Sequence, residues 1–275
     1  MRFERLCRWP ALAVLAVLFV APMGIIAAYS LLTRGAYGGV ELPWTLDNYI
    51  RLCDPLYGAI LLRSLWIAAV STALCLILGY PLAFFISRSG RRKHFYLFLV
   101  ILPFWSSFLI RTYAWMFLLR DTGLFNTVLL ALGWIREPLP LLYNDAAVIL
   151  GLVYGFLPFM VLPLFATLER MDRTLLEAAA DLGARPLESF RRITLPLSFP
   201  GIRAGAILVF IPCLGAYLTP DLLGGGKSVM VANLVQTQFT AARDWPFGAA
   251  VSLTLMAIVM LLLFGAAKKS SEDLL

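Results

Sequence analysis

Residues 177–196 read EAAADLGARPLESFRRITLP, a polar interval between two strongly apolar parts of the chain. Its pattern is that of two short helices joined at a glycine. Just upstream, Thr174 and Glu177 have the spacing of a capping box, in which a hydroxyl and a carboxylate satisfy opening backbone N–H groups. Leu175, Leu176, Ala179 and Leu182 then make one apolar face at spacings of three and four. Gly183 suits the left-handed conformation that ends a helix. Pro186 can open a second helix, because its missing N–H has no partner there anyway. Arg191 and Arg192 complement the dipole near the end of that helix. Pro196 and Pro200 are expected to stop it before the next apolar run. From these signals alone, the stretch is equally an ordinary capped loop between two membrane spans.

A soluble fold cannot hide a chain that is 61% hydrophobic and only 14% charged, so its solvent is largely lipid. The 275 residues are read as one all-α, polytopic membrane domain. Cys7, Cys53, Cys75 and Cys213 lack metal-ligand spacing. Only Cys53 is expected on an oxidising side, so no intrachain disulfide is expected. His94 is the single histidine and lies in a basic loop, which leaves no ligands for a histidine metal site and no base for a Ser-His-Asp triad.

Six apolar runs follow one another: 10–32, 59–86, 95–119, 146–168, 202–222 and 246–267. Each is long enough to cross a layer of about 30 Å. The first follows Arg2, Arg5 and Arg8 and exceeds the core of a secretory signal, so it is read as a retained span. Pro158 and Pro163 are expected to kink the fourth span, and Pro212 and Pro220 to interrupt the fifth. Pro246 can open the sixth, with Asp244 near its cap. A short interfacial helix is expected around Leu124–Leu132.

Charge sets the orientation. With the amino terminus in the cytoplasm, that side receives fifteen basic residues: Arg2, Arg5, Arg8, Arg88, Arg91, Arg92, Lys93, Arg170, Arg173, Arg185, Arg191, Arg192, Arg203, Lys268 and Lys269. The outside receives seven: Arg34, Arg51, Arg63, Arg120, Arg136, Lys227 and Arg243. Both termini and the loop 169–200 are therefore expected in the cytoplasm. The net charge of +7 is mostly topological, and no basic stripe with base-stacking aromatics suggests nucleic acid. Trp44, Trp66, Trp134 and Trp245 fall near span ends, as membrane-interface anchors do.

Few residues look like chemistry. Gly224-Gly225-Gly226-Lys227-Ser228 has the end of a phosphate-binding loop, but Asp221 stands where the first glycine is required, and an apolar span precedes it instead of a strand. No nucleotide site is expected on this chain. Arg111 is the one basic residue well inside a predicted span, either lining a polar path or snorkelling to the interface. Asp221 can offer a carboxylate to a cationic solute, or serve as a cap or a partner for Lys227. Trp105, Tyr113 and Tyr217 can offer cation-attracting ring faces, although packing is the commoner use of such rings. Asp47, Asp54 and Asp244 are expected to be solvated loop acids. A secondary transporter would need an internal repeat and carboxylates inside the spans, and neither is found. An intramembrane enzyme would need paired acids or metal ligands at membrane depth, which are also missing from the sequence.

The spacing Glu177-Ala178-Ala179, three residues, Gly183, nine residues, Ile193-x-Leu195-Pro196 resembles the EAA motif of permease subunits in bacterial ABC importers. Further strings are similar to the spermidine/putrescine branch, and to the first of its two permeases: Leu78-Gly79-Tyr80-Pro81, Leu109-Ile110-Arg111-Thr112-Tyr113, Tyr154-Gly155-Phe156-Leu157-Pro158-Phe159 and Asp221-Leu222-Leu223-Gly224-Gly225. That branch also includes importers of other small amines and organic solutes. The resemblance implies a type I ABC importer (MetI-like) permease fold in the bacterial inner membrane, with cytoplasmic coupling helices. It implies ATPase coupling through Glu177, Ala178, Ala179, Asp181, Gly183, Ile193, Leu195 and Pro196. It implies as partners a cytoplasmic ATPase dimer that carries ATP and Mg, a second permease and a periplasmic solute-binding protein. No cofactor and no bond chemistry are implied for this chain.

Overall fold

The computed structural model describes Pro10, residues 13–172 and residues 174–272, with side chains through Gly265. Arg2, Arg5, Arg8, Cys7 and Arg173 lie outside the described residues, as do the side chains of Lys268 and Lys269. Where the sequence reading draws one domain, packing separates two compact units, one up to Leu62 together with the chain from Val231 on, the other Arg63–Met230.

The first unit begins with α1 (Ala13–Ser30), which contains one π-helical turn at Ala16–Val20. A hairpin follows, β1 (Leu32–Arg34) antiparallel to β2 (Val40–Trp44), in a segment the sequence reads as an irregular loop of an all-α chain. The helix α2 (Asp47–Leu52) comes next. Its buried Asn48 donates to the carbonyls of Ser30 at 3.0 Å and Leu32 at 2.8 Å. The Ser30 carbonyl is among those a helix leaves without an internal partner at its end. The helices α12 (Val231–Phe239) and α13 (Trp245–Glu272) complete the unit around Val231, Phe247 and Val251. Asp244 caps α13 through the Phe247 N–H at 3.2 Å. It also accepts from Arg51 at 2.9 Å, and Arg51 lies over the Phe247 ring at 4.2 Å. Asp244 is thus buried and paired, not the solvated loop acid expected. Asp54 is exposed, but its carboxylate binds the Leu56 N–H at 2.8 Å.

In the second unit, α3 (Pro55–Arg88, counted here from Arg63), α7 (Asp145–Glu169) and α10 (Leu195–Gly215) form the core. The sequence Gly201-x-x-x-Gly205 lets α10 approach α7 closely. A Cβ on Gly201 would stand 2.9 Å from the Pro163 carbonyl, and one on Gly205 would stand 2.7 Å from Met160 Sδ. Small residues at this spacing are how helices pack in lipid, where burial of apolar surface supplies no drive. α7 runs unbroken through Pro158 and Pro163.

Three expectations change. The third span is not straight: α4 (Lys93–Ile101) and a 3-10 turn at Leu102–Trp105 meet α5 (Phe108–Leu119) at an 88° bend. Pro103 supplies no N–H, and Ser106 and Ser107 are extended. The described chain therefore has five helices fit to cross a membrane, or six with the bent pair. The fifth helix starts far earlier than residue 202, because α9 (Pro186–Ser189) continues through a π-helical turn at Phe190–Thr194 into α10. The π-helical turn ends two residues before Pro196 and shifts the hydrogen-bond register there; Pro200 lies inside α10, and neither proline stops the helix. Arg191 and Arg192 consequently sit within a helix and not at its end. Finally, α10 passes Pro212 and breaks at Ala216, which is extended. Pro220 lies in the first turn of α11 (Leu218–Gly224), where no N–H is needed. The short α6 (Leu124–Ala131) stands where the sequence places an interfacial helix.

Candidate functional site

The segment 174–196 folds as the helix α8 (Thr174–Asp181), a glycine turn and α9. Its opening cap differs from the expected capping box. Asp172 accepts the Thr174 N–H at 3.0 Å, and the backbone and side-chain hydrogen bonds from Thr174 hold its carboxyl below the usual range. An ionised carboxylate is a stronger acceptor than a hydroxyl, so Asp172 takes the task expected of Thr174. At the other end Gly183 has φ +79°. Its N–H binds the Ala180 carbonyl at 2.9 Å, and the Ala184 N–H binds that of Ala179 at 2.9 Å, the paired bonds of a Schellman turn. Pro186 then opens α9, and Glu188 reaches back to the Arg185 N–H at 3.3 Å.

Clefts between this segment and the core include two that reach α3. One, of about 280 Å³, is bounded by Phe84 and Arg88 of α3, Glu169 of α7, and Leu176 and Glu177 of α8. Glu169 pairs with Lys93, and Arg88 lies over the Phe84 ring at 4.1 Å. The other, of about 500 Å³, runs between Phe84, Ala180, Leu187 and Phe190. Phe190 anchors the segment to α3, with its ring edge-on to Tyr80 at 5.7 Å and to Phe84 at 6.0 Å. Tyr80 is itself tied to α10 by a 3.0 Å bond to Ser198. Of the expected apolar face, Ala179 is buried and Leu176 half-buried, while Leu175 is exposed. Leu182 is 88% exposed, and Leu187 of the next helix 69%. Ala178, Asp181 and Pro196 are also exposed, and Ile193 and Leu195 half-buried. The segment thus holds to the core by Ala179 and Phe190 and offers uncovered leucines at its turn.

The second group of candidates lies where α5 and α10 begin and break. Arg111 is in the first turn of α5, beside the bend, and not deep in a straight span. Its guanidinium lies 4.7 Å from the Phe104 ring centroid and 5.8 Å from that of Phe108. Its Nε and Nη1 are buried and have no hydrogen-bond partner among the described residues. Phe159 joins Phe104 at 5.1 Å and Phe156 at 6.2 Å, and Phe156 joins Phe108 at 6.4 Å. Arg111 is therefore held against rings. Tyr217 lines a cavity of about 400 Å³ together with Phe108, Phe156 and Ala216. Asp221 is exposed and makes no ion pair with Lys227. Trp105 is 76% exposed against Phe98, and Tyr113 is exposed, so neither joins that cavity.

Sequence reasoning missed the ring set Phe104, Phe108, Phe156 and Phe159; the spacing of three between Phe156 and Phe159 on α7 was the available signal, while Phe104 and Phe108 lie on either side of the bend. It also missed the use of Lys227 and Ser228. The Lys227 carbonyl accepts from Arg63 at 2.8 Å, while Arg63 and the Ser228 hydroxyl both bind the Asp145 carboxylate. The glycine-rich loop is a clasp on α3 and α7.

Comparison with known proteins agrees with this architecture. Residues 75–272 match the family model described as binding-protein-dependent transport system inner membrane component. The spermidine/putrescine transport system permease protein PotB of Escherichia coli K12 is 47% identical over 249 residues, covering 90% of each chain. That of Haemophilus influenzae is 43% identical over 88% of this chain and 85% of its own. A chain of a bacterial alginate ABC transporter, solved in complex with a pentasaccharide-bound periplasmic protein, shares the fold with a TM-score of 0.77 at 17% identity, over 98% of this chain and 94% of its own. The chain belongs to the family of binding-protein-dependent transport system inner membrane components, as a permease of an ABC importer.

Proposed function

We propose that this permease forms half of the path by which an ATP-driven importer takes up polyamines, with spermidine and putrescine as cargo. The observation that carries the reading is 47% identity, across 90% of both chains, to a permease that bears that name. A periplasmic binding protein delivers the amine, and a second, different permease supplies the other half of the path. Both termini and the 169–200 loop face the cytoplasm, where a separate ATPase dimer holds ATP and Mg. The coupling element comprises Glu177, Ala178, Ala179, Asp181, Gly183, Ile193, Leu195 and Pro196. Exposed Leu182 and Leu187 beside Gly183 suit a segment that docks on another protein. ATP binding closes the ATPases and moves this element, which opens the path outward; hydrolysis resets it. Along the path, Trp105, Tyr113 and Tyr217 offer ring faces, Asp221 a carboxylate, and Arg111 a fixed positive charge.

The test is uptake of labelled spermidine and putrescine by proteoliposomes that contain the complete importer, ATP and the binding protein. The comparison complex carries Glu177→Lys, which reverses the charge beside Arg88 and Glu169. ATP-dependent uptake that disappears in the variant supports both cargo and coupling element. An assembled, ATP-hydrolysing complex that moves no polyamine refutes the cargo. Uptake indifferent to ATP and to Glu177 refutes the coupling role.

A further inference from the structure

We infer that the cavity at the break of α10 is an ammonium site, which receives one charged end of an aliphatic amine during its passage; this rests on the amine-importer reading above. The cavity, about 400 Å³, is lined by Phe108, Phe156, Pro212, Ala216, Tyr217 and Leu218. Three of these are aromatic, and an aromatic face is electrostatically negative. The backbone adds to that sign. α10 ends at Gly215, and its last carbonyls have no intrahelical donor. The Ala216 N–H takes only the Cys213 carbonyl, at 3.3 Å. The others carry the negative end of the helix dipole toward the break. Among the described residues, no lysine or arginine lines the cavity. A cation entering it therefore gains from both rings and backbone, whereas a carboxylate or phosphate finds no positive group on the lining itself, the Arg111 guanidinium lying over the Phe108 ring at 5.8 Å and outside it. Pro212 and Leu218 supply the apolar wall that a methylene chain requires.

The neighbouring rings already carry a cation. Arg111 rests on Phe104 and Phe108, so Phe108 belongs to both environments. The guanidinium, with its Nε and Nη1 unpartnered, also fixes a side. It repels an ammonium from the Phe104 end of the ring set and leaves the Phe156–Tyr217 end to the cargo. Asp221 follows one helical turn after Tyr217, its N–H bound to the Tyr217 carbonyl at 3.0 Å, and places a carboxylate on the adjoining exposed surface.

A test that separates cation recognition from packing replaces Phe156 by mono-, di- and trifluorophenylalanine, which drain charge from the ring face at nearly constant shape. The readout is Vmax/KM for labelled putrescine in ATP-loaded proteoliposomes bearing the complete importer, with the same series at Phe159. Phe159 shares the ring packing but does not line the cavity. The expected result is a stepwise fall at position 156, between about twofold and thirtyfold in total, and a flat series at position 159. A flat series at 156 in an importer that takes up putrescine overturns the site and leaves amine import standing. An unsubstituted complex that hydrolyses ATP but takes up no amine overturns both.

Discussion

The Phe190 ring stands edge-on to the Tyr80 ring, with centroids 5.7 Å apart. One residue belongs to the π-helical turn within the coupling segment and the other to the transmembrane helix α3. Edge-to-face pairs contribute about 0.5–1.5 kcal/mol beyond their area burial. Tyr80 also binds Ser198 on α10 at 3.0 Å, so a displacement of Phe190 reaches both helices. Phe190→Ala is expected to lower the amine moved per ATP hydrolysed by roughly fivefold or more, consistent with losing about 1 kcal/mol or more of contact. The ATPase should stay assembled. Tyr80→Phe keeps the ring and drops the hydroxyl, and should change the ratio less. An unchanged ratio in Phe190→Ala would remove this pair from the transmission route.

Gly183 tests the turn itself. A Cβ there would meet nothing within 4 Å, so the cost of a side chain is confined to φ +79°. For an ordinary L-residue that cost is about 1–2 kcal/mol, and Asn tolerates the region better. Gly183→Val is expected to open the Schellman turn, raise amide exchange at Gly183 and Ala184, and abolish coupled uptake with the spans intact. Gly183→Asn should retain most of the uptake. Equal loss in both variants would show that side-chain bulk against a partner, and not backbone conformation, governs the turn.

Legibility in the sequence followed the range of the interactions. Local rules located Gly183, Pro186 and the cap at Asp244, because each depends on bonds within a few residues. They failed at Pro196 and Pro200, both of which the helix carries: a π-helical turn precedes Pro196, and Pro200 lies inside α10. The broken third span was concealed by hydropathy, since Ser106 and Ser107 hardly lower the average of so apolar a run. From the sequence, Arg111 either lines a polar path or snorkels to the interface. Its actual support, Phe104, becomes apparent only when the bend brings a residue from before Ser106 against one from after it. The aromatic cavity was hidden for the same reason: Phe108 comes from α5, Phe156 from α7 and Tyr217 from the break between α10 and α11.

The close approach of α10 to α7 can be tested without reference to transport. At Gly201 a Cβ would stand 2.6 Å from Thr167 Oγ1 and 2.9 Å from the Pro163 carbonyl, and a backbone carbonyl cannot move aside as a side chain can. Thr167 Oγ1 already donates to that carbonyl at 2.9 Å, so the added methyl also disturbs this bond within α7. Gly201→Ala must therefore push α10 away from α7. Overpacking of this kind costs about 1–3 kcal/mol. At Gly205 the nearest atom is the mobile Met160 Sδ, so Gly205→Ala should cost less. At Gly24 in α1 nothing lies within 4 Å, and Gly24→Ala should be neutral or stabilising by up to about 1 kcal/mol from helix propensity. Thermal scans of the detergent-solubilised protein should rank the midpoints Gly24→Ala, Gly205→Ala, Gly201→Ala from highest to lowest. A Gly201→Ala protein as stable as the parent would mean that α7 and α10 do not meet through the Gly201–Pro163 contact.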